Sequence, residues 1–167
     1  MPASSATIDK IEDFLGQKRI AMIGISREPG GFSATLFREL CQRGYDMVPV
    51  NPNVSEVQGR RCFARMQDVQ PPSGAALLMT SPGVTDAVVD DCFRSGIRRI
   101  WMHWATGQGS VSDKAVQFCE KQNIDVIPGE CPHMFLPNAG VVHRLHGWIR
   151  RMTGDYLRCA DGVRTSQ

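Results

Sequence analysis

No apolar run in the 167 residues approaches the roughly 18 that a membrane-spanning helix needs. The stretch from Met1 to Lys10 has neither the basic start nor the apolar core of a secretory signal. Strong charge of one sign is missing as well. Nineteen basic against 17 acidic side chains leave a formal +2, which gives little support to bulk binding of nucleic acid or acidic surfaces. The six cysteines (Cys41, Cys62, Cys92, Cys119, Cys131 and Cys159) include no C-x-x-C pair. A chain of this length buries roughly two-thirds of its unfolded surface and needs no disulfide or metal to fold. Reduced, mostly buried thiols in a cytoplasmic protein are therefore expected. Internal repeats and low-complexity segments are also lacking. What is present is 42% hydrophobic and 22% charged residues, an ordinary globular composition that excludes disorder as the main state.

Short apolar runs alternate with amphipathic segments. Arg19–Ile25, Asp46–Val50, Ala75–Met79, Arg98–Met102 and Ile124–Pro128 are each nearly continuous in hydrophobicity, as strands covered on both faces should be. Between them, Leu36, Leu40 and Cys41 recur at helical spacing. So do Val84, Ala87, Val88, Asp91 and Cys92, and more weakly Ala115, Phe118, Cys119 and Gln122. Ser81-Pro82 predicts an N-cap with proline in the first helical turn, and Ser110-x-x-Asp113 has capping-box spacing. Gly44 and Gly96 stand where helices end. The order is a helix, then alternating strands and helices, then a last helix over Asn138–Thr153. This predicts an α/β, Rossmann-like, doubly wound parallel sheet of about five strands with right-handed crossovers. Residues 1–153 form one domain in this reading and 154–167 a tail. Asn51–Pro72 is irregular, with a helical turn expected near Arg65–Val69.

In such a sheet ligands bind beyond the carboxyl ends of the strands. The loops there are Gly24–Phe32, Asn51–Asn53, Thr80–Gly83 and His103–Gly109, all rich in Gly, Pro, Ser, Thr or Asn. The first runs from a strand into a helix, so its backbone N–H groups suit a phosphate. Ser26 and Ser33 add hydroxyls, and Arg27 a charge-assisted contact. The fingerprint G-x-G-x-x-G is broken by Ser26, and Asn51 occupies the place of the acidic residue that would hold a ribose. Both features disfavour NAD(P).

Taken in order, Gly24-Ile25-Ser26, Gly44-Tyr45, Val48-Pro49-Val50-Asn51-Pro52, Gly59 and Ile100-Trp101 resemble the CoA-binding domain family. Its small stand-alone members are similar to the N-terminal domain of succinyl-CoA synthetase α subunits. The resemblance spans about Ile11 to Cys131 and implies a domain that holds coenzyme A or an acyl-CoA across the strand ends. It implies that Gly24, Ser26 and the Arg27–Ser33 loop, with Phe32, lie at the CoA phosphates. Val50, Asn51 and Pro52 would lie beside the adenosine, Thr80, Ser81 and Pro82 would flank the nucleotide, and Met102, His103 and Trp104 would face the pantetheine arm. Cys131-Pro132 resembles the Cys-Pro after the fifth strand. Two features depart from the family. Asn53-Val54-Ser55 replaces a stretch where synthetase domains carry a phosphate-binding Lys, leaving Arg60 or Arg61 as substitutes. His103-Trp104 stands where the small relatives commonly have Gln-Ser-Gly.

The catalytic histidine of the synthetases lies in a second domain, so ligase chemistry is not inherited. His103 would serve as a general base only with a pKa near neutral, and Cys131 as a nucleophile only if not inert through burial. No catalytic residue is assigned. Cys131, His133, His143 and His146 bring together metal-ligand types, but Cys-x-His is an uncommon spacing and no metal is assigned. From 141 to 167 five Arg face two Asp, most simply a solvated helix face. The reading is a CoA or acyl-CoA binder acting as a non-catalytic carrier or sensor. Its rivals are an NAD(P)-binding protein or dehydrogenase, and an interaction module engaging a second copy or a protein partner.

Overall fold

The structure, a computed structural model, describes residues 8–104 and 109–136. The helix expected over Asn138–Thr153, the tail, and the His143 and His146 positions lie outside the described residues.

Helix α1 (Ile8–Leu15) leads into strand β1 (Arg19–Ile23), helix α2 (Phe32–Gln42) and strand β2 (Asp46–Val50). A two-stranded hairpin, β3 (Glu56–Val57) and β4 (Arg60–Arg61), precedes a 3-10 turn at Met66–Asp68. Then come β5 (Ala75–Leu78), α3 (Pro82–Arg94), β6 (Arg99–His103), α4 (Asp113–Lys121), β7 (Asp125–Glu130) and a 3-10 turn at Pro132–Met134. The five-stranded sheet has the order β2-β1-β5-β6-β7, with every neighbouring pair parallel. The chain goes outward from β1 to β2, then crosses back to β5 on the other side. The winding therefore reverses between β1 and β5, and a crevice opens above their carboxyl ends.

Alternation along the strands divides the core. One set (Ala21, Ile23, Val48, Val50, Ala76, Leu78, Ile100, Met102) packs with Val89, Cys92, Val116 and Cys119 of α3 and α4. The other (Ile20, Met22, Met47, Ala75, Leu77, Trp101, Ile127) packs with Ile11 and Phe14 of α1 and Leu36, Phe37 and Leu40 of α2. Full burial of one such side chain stabilises by about 1.5–3 kcal/mol, so strands with two apolar faces commit the chain to a covered sheet. Trp101 is the largest side chain so buried among the described residues. It meets Phe14 edge-on at 5.2 Å and donates its indole N–H to Glu130 O at 2.8 Å.

Several local expectations are corrected. β1 stops at Ile23, because Gly24 takes φ +85° and turns the chain out of the sheet. The buried side of α3 is Thr85, Val89 and Cys92, not the Val84–Ala87 side, and Val84 is exposed. The cap of α4 is Ser112, whose Oγ accepts from Ala115 N, and not Ser110. Asn51–Pro72 contains a hairpin, turned by Gln58 and Gly59, both at positive φ. Five cysteines among the described residues are free thiols, with Cys62, Cys92, Cys119 and Cys131 buried.

Candidate functional site

Four loops converge on the crevice. Gly24 turns the chain out of β1: its N–H donates to Val50 O at 3.0 Å, and a Cβ there would stand 3.0 Å from the Met79 carbonyl carbon and from Thr80 Cγ2. Positive φ and this close approach together favour glycine. Asn51 ties the second loop to the first. Its Nδ2 donates to Ile25 O at 2.8 Å while Oδ1 accepts from Asn53 N at 2.9 Å. Both ends of its amide are engaged with backbone, so Asn51 acts here as a brace between loops.

The turn into α2 is built from its serines. Ser33 Oγ accepts from Ser26 N at 2.9 Å, and Ser26 Oγ accepts from Glu28 N at 3.1 Å. A hydroxyl that accepts one bond still has a proton to donate. Ser26 and Ser33 thus retain O–H donors at the positive end of α2, with exposed Arg27 alongside. That is donor chemistry suited to phosphate oxygens.

The third loop is spoken for internally. Thr85 Oγ1 lies 3.1 Å from Ser81 O and 2.9 Å from Ser110 O, carbonyls that take its proton. Thr80 Oγ1, 2.9 Å away, is then the donor to Thr85. Ser81 caps α3 through its backbone with no side-chain cap bond, and Pro82 begins the helix. Ser110 Oγ lies between Leu78 O at 2.8 Å and His103 O at 2.9 Å, fastening the ends of β5 and β6. Thr85 and Ser110 were missed as site-building residues. Their signal was a hydroxyl inside an otherwise apolar face.

The fourth loop starts at His103. Its ring shares Trp101's face of the sheet and stacks at a tilt on Phe32, 4.8 Å between centroids. Phe32 meets His133 edge-on at 5.5 Å. His133 Nδ1 lies 2.9 Å from Glu39 Oε2. His103 is only 9% exposed, and its Nε2 has no hydrogen-bond partner among the described residues. Burial, with the neighbouring His133, lowers its pKa to about 4, so the condition for a general base near neutral pH is not met. Burial likewise raises the Cys131 thiol, the wrong direction for a thiolate nucleophile.

The geometry thus gathers Gly24, Ser26, Phe32, Ser33, Asn51, Thr80 and His103, with Pro52, Ser81 and Trp104 exposed on the same loops. The Val50 and Met102 side chains are instead in the core, so at those positions only backbone faces the crevice. Arg60 is corrected as a phosphate ligand. It reaches Asp46 Oδ1 at 3.3 Å and Met47 O at 3.4 Å, at the amino end of β2. Arg61 stacks on Phe63. No group of three or more metal-ligand types suited to an ion occurs among the described residues.

The model of the CoA binding domain family matches residues 18–137. The chain belongs to that family. It is 24% identical over 146 residues to the ADP-forming acetate–CoA ligase II of Archaeoglobus fulgidus, covering 86% of this chain and 21% of the ligase. It therefore spans about a fifth of that relative's length. To the uncharacterized protein YneT of Bacillus subtilis it is 24% identical over 114 residues, covering 68% of this chain and 82% of YneT. A solved structure of a hypothetical protein from Pyrococcus horikoshii superposes with a TM-score of 0.69 at 24% identity, covering 76% of this chain and 87% of the other. That likeness speaks to the fold.

Proposed function

We propose that this protein binds coenzyme A or an acyl-CoA across the carboxyl ends of β1, β5 and β6, and acts as a carrier or sensor without catalysing a reaction. The observation that carries the reading is the serine pair at the start of α2, each hydroxyl fixed as an acceptor with its proton left to donate. In this reading the phosphates meet Ser26, Ser33 and Arg27, and the pantetheine arm runs toward His103 and Trp104. Membership of the family supports the ligand, as does the CoA in the name of the archaeal ligase. A low His103 pKa and a raised Cys131 pKa support a role without catalysis. Asn51, braced between backbone groups in the place of a ribose-binding acid, disfavours NAD(P). The free thiols fit a reducing, cytoplasmic setting.

The test is a thermal-shift comparison with CoA, with NAD and without ligand. A ligand at about 100 times its Kd adds roughly 2.7 kcal/mol, a rise of about 5–10 °C for a domain of this size. A rise with CoA that Ser26→Glu abolishes is expected, because the new carboxylate repels phosphate. A rise with NAD alone overturns the reading, and no rise with either moves the weight to a protein-interaction module.

A further inference from the structure

Three features of the crevice are not used by phosphate binding. His103 Nε2 is buried without a hydrogen-bond partner among the described residues, an arrangement that costs stability unless something else completes it. The ring beside it, Phe32, is 44% exposed although it is large and apolar. Trp104, the residue after His103, is also exposed, at 46%. Surface apolar side chains scattered singly need no explanation, but an exposed aromatic ring stacked on a buried, unsatisfied polar side chain marks a binding surface.

We propose that the crevice selects the acylated form of the thioester, with an uncharged acyl group, by donating a hydrogen bond from His103 Nε2–H to the thioester carbonyl oxygen while Phe32 covers the acyl chain. This deepens the CoA-binding reading and rests on it. Free CoA offers a thiol in place of that carbonyl and leaves Nε2 unpaired. An acyl group ending in a carboxylate is disfavoured because it would carry its charge into an apolar seat beside Phe32 and the His103 ring. The His103–Phe32 pair is thus a specificity device suited to a polar carbonyl followed by an apolar chain.

Isothermal titration of the full chain with CoA, butyryl-CoA and succinyl-CoA tests this. The wild type should bind butyryl-CoA about tenfold more tightly than CoA, and succinyl-CoA no more tightly than CoA. His103→Leu should lose about tenfold for butyryl-CoA and clearly less for CoA, so that the preference between the two ligands collapses. Phe32→Ala, at a position 44% exposed, should also weaken butyryl-CoA selectively and keeps the test open if His103→Leu does not fold. Equal wild-type affinity for CoA and butyryl-CoA overturns the proposal, and so does undiminished butyryl-CoA binding by His103→Leu or tight binding of succinyl-CoA. In each of those cases CoA still binds and the site reading stands. Failure of the wild type to bind either CoA or butyryl-CoA overturns the site reading and this proposal together.

Discussion

Gly24 and Met79 meet backbone to backbone across the point where the sheet reverses its winding: a Cβ on Gly24 would lie 3.0 Å from the Met79 carbonyl carbon. The contact draws the carboxyl ends of β1 and β5 together. It also holds the first loop low, so that α2 can begin directly above the crevice. Gly24→Ala must both push this contact apart and hold an L-residue at φ +85°, at a cost of about 2 kcal/mol. Urea unfolding should show that loss, and CoA affinity should fall with it because Ser26 is displaced.

Two arginines that look equivalent in the sequence should behave differently. Arg27 lies exposed on the loop that opens α2, and Arg27→Ala should weaken CoA about tenfold through loss of a charge-assisted contact. Arg60 is held by Asp46 at the opposite end of β2, and Arg60→Ala should leave CoA affinity unchanged. Equilibrium binding at one fixed salt concentration checks both.

His103 also predicts how stability depends on pH. Burial lowers its pKa from 6.5 to about 4, so between those values the unfolded chain binds more protons than the folded one. Stability then rises with pH across the window. On acidification it is lost progressively from about pH 6.5 down to about pH 4, by an amount of order 2 kcal/mol. Denaturant titrations at pH 7 and pH 4.5 should show this difference, and His103→Leu should remove that part of it.

The sheet was legible because its strands are covered on both faces and their runs are short, continuous and bounded by Gly or Pro. The helices were legible in place but less so in rotation. Val84 and Ala87 look like core residues, yet Thr85 turns inward because its hydroxyl has two carbonyls to satisfy. The hairpin at 56–61 leaves no mark in the sequence, since two residues per strand carry no usable period. In the crevice, spacing and resemblance identified the loops. They could not distinguish Met102, which points into the α3 and α4 side of the core, from His103, which points at Phe32. That difference comes from the alternation of side chains along β6, where the two residues are consecutive and paired with Pro128 and Glu130 of β7.

Helix α1 has a bearing on where this folding unit begins. The match to the family model starts at residue 18, but Ile11 and Phe14 lie before it and fill the sheet face that holds Trp101. Asp13 pairs with Arg99 and Leu15 O accepts from Tyr45 Oη at 2.8 Å, clamping the helix to two separate parts of the chain. A fragment cut where that match begins would bare an indole and its apolar neighbours to water. The stretch that the family model matches and the stretch able to keep its own interior dry are therefore different lengths of this protein.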